Sequence, residues 1–218
     1  DLRHLEYTEV LERVAERLDP LEPLREHAPD RLATYRSMRD PAKTAEPVPM
    51  GWPPTSNAQP IFVIQEHHAR RLHWDFRLEH DGVLVSWAVP KGPPLDPELN
   101  RLAVQTEDHP LEYATFEGTI TKGEYGAGEV SIWDSGTIEL EKWREGKEVI
   151  AVLHGRPDGG LGGAPRRFAL IHAPGMGEEK HWLLKYMKDQ PDNASRRPVA
   201  PDPLSASFTF ADLPSPML

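Results

Sequence analysis

The stretch from Leu72 to Glu79 alternates apolar and polar residues without a break. A period of two is typical of a β-strand with two unlike faces, so this segment strongly constrains the fold. The polar face presents His73, Asp75, Arg77 and Glu79. An imidazole, a carboxylate and a guanidinium thus follow one another along a strand, with about 7 Å between successive members.

Short apolar or alternating runs recur from residue 61 onward, separated by Gly, Pro and Asp turn signals. They predict strands at 61–65, 72–79, 83–89, 101–106, 129–133, 136–142, 148–153, 166–172 and 181–187. This spacing predicts an all-β, mainly antiparallel fold: a small closed or nearly closed β-barrel of about eight strands. Side chains fill a barrel of that size, so the polar row should line its mouth or a groove.

The flanking segments have a different character. Residues 5–18 and 30–38 have the apolar spacing of amphipathic helices, and the Pro-rich stretch 45–54 predicts an extended connector. We therefore expect a helical linker or appendage at 1–34, the β-barrel domain at 35–190 and a flexible tail or linker at 191–218.

Composition excludes several classes of protein. The chain has no cysteine, which excludes disulfides and thiolate metal sites. No apolar run approaches the roughly 20 residues of a membrane helix, so we expect no membrane contact and a cytoplasmic location. The net charge of −10 argues against broad nucleic-acid binding, so phosphate recognition should be local.

His67 lies just before the alternating strand, so two imidazoles and a carboxylate fall within nine residues. This mixed set suits Mn, Fe or Zn better than Ca or Mg, which prefer oxygen ligands. His67, His73 and Asp75 are therefore the candidate metal ligands, whereas the adjacent His68 should point to the opposite face. The alternative is that these histidines are ordinary surface or hydrogen-bonded residues.

Cations near this row are candidates for binding an anion. Arg77 shares the face of the metal candidates, and its planar fork matches phosphate or carboxylate oxygens. Its alternative role is a salt bridge to Glu79 or to a neighbouring strand. Lys91 and Arg101 are weak signals when each is taken alone.

The sequence Glu107-Asp108-His109-Pro110 is unusually dense in functional groups. His109 could act as a general acid or as a hydrogen-bond donor to a developing charge. Glu107 could orient it, and Tyr113 could bind a substrate oxygen. The alternative is a polar turn closed by Pro110, with Tyr113 simply packed.

Several of these segments together resemble the 3′-phosphoesterase domain of bacterial DNA ligase D. The resemblance covers about 35–188 and is carried by residues 35–47, 62–67, 72–79, 86–93, 107–110 and 123–128. Departures are Glu66, where the family more often has lysine, Trp74, where tyrosine is commoner, and an irregular stretch at 154–163.

The resemblance implies a manganese-dependent hydrolase of non-homologous end joining. Such an enzyme trims 3′ ends at double-strand breaks, removing a terminal ribonucleoside and then the remaining 3′-phosphate. Its expected partners are DNA or RNA/DNA 3′ ends of primer–templates and flanking polymerase and ligase domains of the same polypeptide. Its expected location is the bacterial cytoplasm or nucleoid.

The resemblance also assigns roles to residues. It gives the metal to His67, His73 and Asp75, and it makes Arg77, His109, Glu107 and Tyr113 the catalytic candidates. The phosphate-binding candidates that it implies are Arg39, Asp40, Lys91 and Arg101.

Two other functions fit parts of the pattern. Non-haem iron oxygenases also carry His-x-Asp on a strand, with a distant histidine that His154, His172 or His181 could supply. The second alternative is a DNA-end binding module that keeps a degenerate site without catalysis.

Overall fold

The structure, a computed structural model, describes residues 30–50 and 59–189. A short helix, α1 (Ala33–Ser37), precedes the sheet, and 3₁₀ turns cover Leu111–Thr115 and Pro174–Met176. The strands are β1 (Ile61–His68), β2 (Leu72–His80), β3 (Val83–Val89), β4 (Asn100–Gln105), β5 (Gly118–Ile120), β6 (Gly128–Arg144), β7 (Glu148–Gly155), β8 (Arg166–His172) and β9 (His181–Tyr186). No helix in these ranges has the length and apolar character that a membrane crossing requires.

The strands form a closed antiparallel barrel. Their order is β1-β2-β3-β4-β9-β8-β7-β6, and β6 pairs with β1 to close the ring of eight strands. The three-residue β5 adds to the first part of β6. The predicted all-β barrel of about eight strands is therefore confirmed.

Some boundaries differ from the sequence prediction. The predicted strands 129–133 and 136–142 are one 17-residue strand, β6. Gly136 does not turn the chain there: a Cβ on it would lie 1.9 Å from the His154 carbonyl oxygen, so glycine permits close strand pairing. The strand β5 was not predicted, and the helix predicted at 30–38 is shortened to α1. The helix predicted at 5–18 and the tail after 190 lie outside the described residues.

The barrel interior is apolar and aromatic. The ring of Phe76 on β2 contacts that of Phe168 on β8 edge to face, with centroids 5.8 Å apart. Trp87 on β3 meets Trp182 on β9 in the same way, at 5.6 Å. Because neighbouring residues of a strand point to opposite faces, Asp75 and the other odd-numbered residues of β2 lie on the outside of the barrel.

The outer face of β1, β2 and β3 is covered by segments that lie outside the barrel, among them α1 and the stretch that contains His109 and Tyr113. Tyr35 of α1 is fully buried there, and its ring lies 5.0 Å from that of His109 and 6.2 Å from that of Tyr113. Of the two places expected for the polar row, the barrel mouth or a groove, the structure has the groove. The row lies between the outer sheet face and this covering layer, because the aromatic side chains already fill the interior.

Asp134 organises the irregular stretch that follows β7. Its buried carboxylate accepts backbone N–H bonds from Ser135, Arg156 and Leu161 at 2.7, 3.0 and 2.8 Å. A Cβ on Gly159 would lie 2.2 Å from Asp134 Oδ1, so glycine is needed for the chain to pass. The loop is thus a specific structure built around one carboxylate.

We predict that Asp134→Ala lowers the free energy of unfolding by about 3 kcal/mol or more, because hydrogen bonds to a charged acceptor contribute about 1.5–3 kcal/mol each. Urea unfolding followed by tryptophan fluorescence measures the change. Asp158→Ala removes an exposed carboxylate from the same loop and is the matched control. Equal stability of the two variants would contradict this role for Asp134.

Candidate active site

The register of the first three strands brings the polar side chains together on the outer sheet face. The cross-strand partners are His67 with His73, Gln65 with Asp75, Asp75 with Ala88, and Arg77 with Ser86. Directly opposite residues on one face have Cβ atoms about 5 Å apart. Residues distant in sequence therefore become immediate neighbours through strand pairing.

His67, His73 and Asp75 form a compact set of possible metal ligands. The Nδ1 atom of His67 lies 3.4 Å from Asp75 Oδ2, and the Nε2 atom of His73 lies 3.6 Å from Asp75 Oδ1. One ligand atom from each residue lies within 4.8 Å of the others. Two imidazoles and a carboxylate fit a divalent metal of the Mn, Fe or Zn type.

Backbone carbonyls orient both imidazoles. His67 Nε2 lies 2.8 Å from the Gly126 carbonyl oxygen, and His73 Nδ1 lies 3.0 Å from that of Arg71. A carbonyl only accepts, so each ring donates its outer N–H and turns its other nitrogen toward Asp75. This is the outer support that metal-binding histidines generally have.

Arg77 is buried next to the triad, and its guanidinium makes hydrogen bonds to three side chains. Its guanidinium donates to Gln65 Oε1 at 2.9 Å, Ser86 Oγ at 2.8 Å and Asp75 Oδ2 at 3.0 Å. Burial alone would raise the pKa of Asp75, but Arg77 and the two histidines outweigh burial and hold that pKa well below its usual range. Asp75 is therefore an anion at any pH near neutrality.

Arg39 enters the groove from the segment after α1. Its Nε donates to Glu46 Oε1 at 2.9 Å and its Nη1 to Glu107 Oε1 at 3.2 Å, while its guanidinium lies 3.7 Å from the Tyr35 ring centroid. Burial alone would lower the pKa of Arg39, but the two carboxylates raise it. The cation is thus held in place before any substrate binds.

His109 lies between the two buried arginines. Burial lowers its pKa well below the ordinary value, and Arg77 and Arg39 lower it further. The neutral ring donates from Nδ1 to the Glu107 carbonyl at 2.9 Å, which leaves Nε2, 3.4 Å from Arg39 Nη2, as an acceptor. Either role expected from the sequence, general acid or hydrogen-bond donor, requires a second proton on this ring.

These groups surround a pocket of about 740 Å³. Residues of the loop between β5 and β6 close one side, including Glu124, Tyr125 and Gly126. The charged residues that line the pocket are Arg39, Glu46, Arg70, Arg71, Asp75, Arg77, Glu107 and Glu124. A triad that could hold a metal, beside two buried guanidinium groups, is suited to a phosphate ester.

Comparison with known proteins supports this chemistry. Residues 65–159 match the sequence profile of the DNA Ligase D 3′-phosphoesterase domain. The Multifunctional non-homologous end joining protein LigD of Mycolicibacterium smegmatis is 53% identical over 213 residues, which cover 92% of this chain and 26% of that protein. The LigD protein of Mycobacterium tuberculosis H37Rv is 55% identical over 196 residues, 88% of this chain and 24% of its own length.

The chain belongs to the DNA ligase D 3′-phosphoesterase domain family. LigD of Pseudomonas aeruginosa is also similar, at 47% identity over 161 residues that cover 72% of this chain and 19% of that protein. The chain spans about a quarter of the length of the two mycobacterial LigD proteins.

The groove of this LigD-type domain gathers most of the candidate residues. All three metal candidates and all four catalytic candidates line the pocket, and so does one phosphate-binding candidate: His67, His73, Asp75, Arg77, His109, Glu107, Tyr113 and Arg39. The alternating strand β2 and the stretch Glu107–Tyr113 thus form neighbouring walls of the same pocket.

The other three phosphate-binding candidates do not line the pocket. Asp40 accepts from Ala42 N at 3.0 Å and pairs with Lys43 at 2.8 Å, in a turn of its own segment. Lys91 lies three residues after Ala88, and Arg101 lies three residues before Val104, which is paired with Ala88. Because these strands are antiparallel, Lys91 and Arg101 lie on the rim at the end where β2 begins.

Sequence reasoning missed other members of this LigD-type site. Glu46 accepts hydrogen bonds from Arg39 and from the Tyr113 hydroxyl, the latter at 3.1 Å. Gln65 accepts a hydrogen bond from Arg77 and donates one to the Phe116 carbonyl. Gln65 stands on the same strand as His67 and two residues away, which places it on the same face. Nothing comparable marked Glu46, which lies in a Pro-rich segment without periodicity.

The oxygenase alternative needed a distant histidine, and none of the three that the sequence offered is grouped with the triad. His154 lies 3.0 Å from Glu139, His172 contacts the Glu179 carbonyl at 2.5 Å, and His181 lies 3.9 Å from Glu178. Within the described residues, His67 is the second imidazole of the triad. The predicted third ligand for that alternative is therefore wrong.

We predict that His109 makes stability depend on pH. Below about pH 6.5 the unfolded chain binds a proton at this residue and the folded chain does not, so stability falls with falling pH by up to about 1.4 kcal/mol per pH unit. The loss continues until the lowered pKa of the folded state is reached. His109→Gln should flatten this dependence.

Urea unfolding in the presence of chelator, between about pH 7.5 and 5.5, measures the slope for both proteins. His68→Gln, which removes an exposed imidazole, is the matched control and should keep the wild-type slope. Identical slopes for wild type and His109→Gln would show that His109 is not held neutral.

Proposed function

We propose that this domain is a metal-dependent 3′-phosphoesterase that acts on DNA ends in double-strand break repair. It would remove a 3′-terminal ribonucleoside and then the 3′-phosphate that this step leaves on the strand. The observation that carries the proposal is the triad of His67, His73 and Asp75, oriented by backbone carbonyls and joined directly to a buried arginine. The names of the relatives, which refer to non-homologous end joining, support the setting.

We propose Mn²⁺ as the metal, held by His67 Nδ1, His73 Nε2 and an Asp75 oxygen. A bound divalent ion would supply a Lewis acid for a phosphoryl oxygen and lower the pKa of bound water. The protein contributes the fixed orientation of the ligands, because both rings are tied to main-chain carbonyls. It also keeps Asp75 ionised through Arg77.

Arg77 and Arg39 would balance the charge that develops on the phosphoryl oxygens. Neither cation has to move into place, because Arg77 is fixed by three hydrogen bonds and Arg39 by two carboxylates. Tyr113 and Glu107 would support them. Burial raises the pKa of Tyr113, so its hydroxyl stays protonated and donates to Glu46.

His109 would become protonated when a phosphate binds and would then donate a hydrogen bond to it. In the neutral form its Nδ1–H is used by Glu107, and its Nε2 is an acceptor. A dianionic phosphate between Arg39 and Arg77 would offset their positive charge and favour protonation of the imidazole. The protonated ring could then donate a hydrogen bond to the phosphoryl group, the role expected from sequence.

Lys91 and Arg101 would act outside the pocket. Their place on the rim at the end where β2 begins suits contact with the rest of the substrate strand and does not suit contact with the reacting phosphate. We assign no substrate contact to Asp40, because Lys43 and Ala42 occupy its carboxylate.

A pair of adjacent histidines tests the metal assignment. We predict that His67→Ala weakens Mn²⁺ binding by more than about 100-fold, since even loss of an outer support costs 10–100-fold. His68→Ala should change it by less than about twofold, because this exposed ring contacts Glu66 at 2.6 Å on the other face. Isothermal titration with Mn²⁺ measures both, and similar losses in the two variants would refute the ligand set.

A labelled primer–template series tests the activity. Substrates end in a 3′-ribonucleotide or a 3′-phosphate and are incubated with Mn²⁺, Mg²⁺, Zn²⁺ or chelator before the products are resolved. We expect shortening of the first substrate and dephosphorylation of the second with Mn²⁺, and neither with chelator or with His73→Ala. Turnover by His73→Ala, or metal-independent turnover, would contradict the proposal.

A further inference from the structure

We propose that Arg70 and Arg71, in the turn between β1 and β2, bind the phosphodiester backbone of the substrate strand next to its 3′ end. This inference rests on the proposed function and adds the path by which the nucleic acid leaves the pocket. Neither arginine was a candidate from sequence, where they were two of six Lys and Arg set against eleven Asp and Glu in residues 60–125.

Both arginines lie at the pocket and next to the triad. They line the cavity together with His67 and His73. The carbonyl of Arg71 accepts the hydrogen bond from His73 Nδ1 at 3.0 Å, so the main chain of the turn is fixed relative to a metal ligand. Arg71 precedes His73 by two residues, which is about 7 Å along an extended chain. At that distance from the triad, an arginine side chain can reach the phosphates next to the reacting one.

The balance of charge in the pocket distinguishes these two cations from the buried ones. Arg39 is paired with Glu46 and Glu107, and Arg77 is paired with Asp75. Arg70 and Arg71 are exposed, and neither guanidinium has an ion-pair or hydrogen-bond partner in the described part of the chain. An external polyanion therefore finds uncompensated positive charge at this turn.

The rim gives the path a direction. Lys91 and Arg101 lie at the same end of the sheet as this turn, because β3 runs antiparallel to β2 and to β4. The pocket wall formed by the loop between β5 and β6 carries Glu124, whose carboxylate repels phosphates. A strand whose 3′ end is in the pocket would thus pass over Arg70 and Arg71 and continue toward the exposed Lys91.

Salt dependence of binding tests the inference, because each phosphate contact contributes about 0.7–0.9 to the slope of log K against log salt. A fluorescent primer–template with a recessed 3′-phosphate end is titrated by anisotropy, with chelator present to prevent turnover. For the double variant Arg70→Ala/Arg71→Ala we expect about tenfold weaker binding at low salt and a slope reduced by roughly 1.4–1.8.

Two further variants make the result specific. Arg70→Lys/Arg71→Lys keeps both charges and should keep most of the slope. Arg144→Ala/Lys147→Ala removes two exposed cations from the hairpin turn at the other end of β6, and it should bind as the wild type does. Circular dichroism of each variant establishes that it is folded.

The outcomes separate this inference from the proposed function. If the wild type cleaves the primer–template and the Arg70→Ala/Arg71→Ala variant retains affinity and slope, the inference is wrong and the proposed function stands. If the Arg144→Ala/Lys147→Ala control loses as much as the test variant, the effect is one of net charge and the inference is also wrong. A wild type that neither binds nor cleaves would overturn both.

Discussion

The buried guanidinium of Arg77 is the interaction on which the candidate site depends. A charge removed from water is tolerated only when its hydrogen bonds are satisfied, and here Gln65, Ser86 and Asp75 on three adjacent strands share that task. The same contacts fix the Asp75 carboxylate and keep it ionised. The cation thus links the sheet to the metal ligands, so a change that leaves it unpaired would disturb fold and site together.

The electrostatics of the groove follow from this arrangement. The deep cations are balanced by carboxylates, so the pocket holds fixed dipoles and paired charges without a large excess of one sign. Such preorganised groups respond to a phosphate mainly through geometry. The unbalanced charge lies at the edge, which reconciles a chain of net charge −10 with the polyanionic substrate that we propose.

The strands and the two faces of each strand could be predicted from the sequence, but the layer that covers the outer face could not. The alternation from Leu72 to Glu79 predicted correctly that His73, Asp75 and Arg77 share a face, because period-two patterning is local. It could not tell the inner face of the barrel from the outer one, since both are buried here. That distinction depends on long-range contacts such as those of Tyr35 and Tyr113, which no local pattern specifies.

The outer location of the groove makes the proposed macromolecular substrate compatible with a small barrel. An eight-stranded ring is filled by its own side chains, here aromatic ones such as Trp87 and Phe168, so it has no room for a ligand. The outer location of the polar row leaves one long side for the strand of nucleic acid that we propose as substrate. The segment 30–50 forms a wall of the groove and holds Arg39 and Glu46 against the sheet. The proposed catalytic geometry therefore depends on a segment that contributes no strand to the barrel.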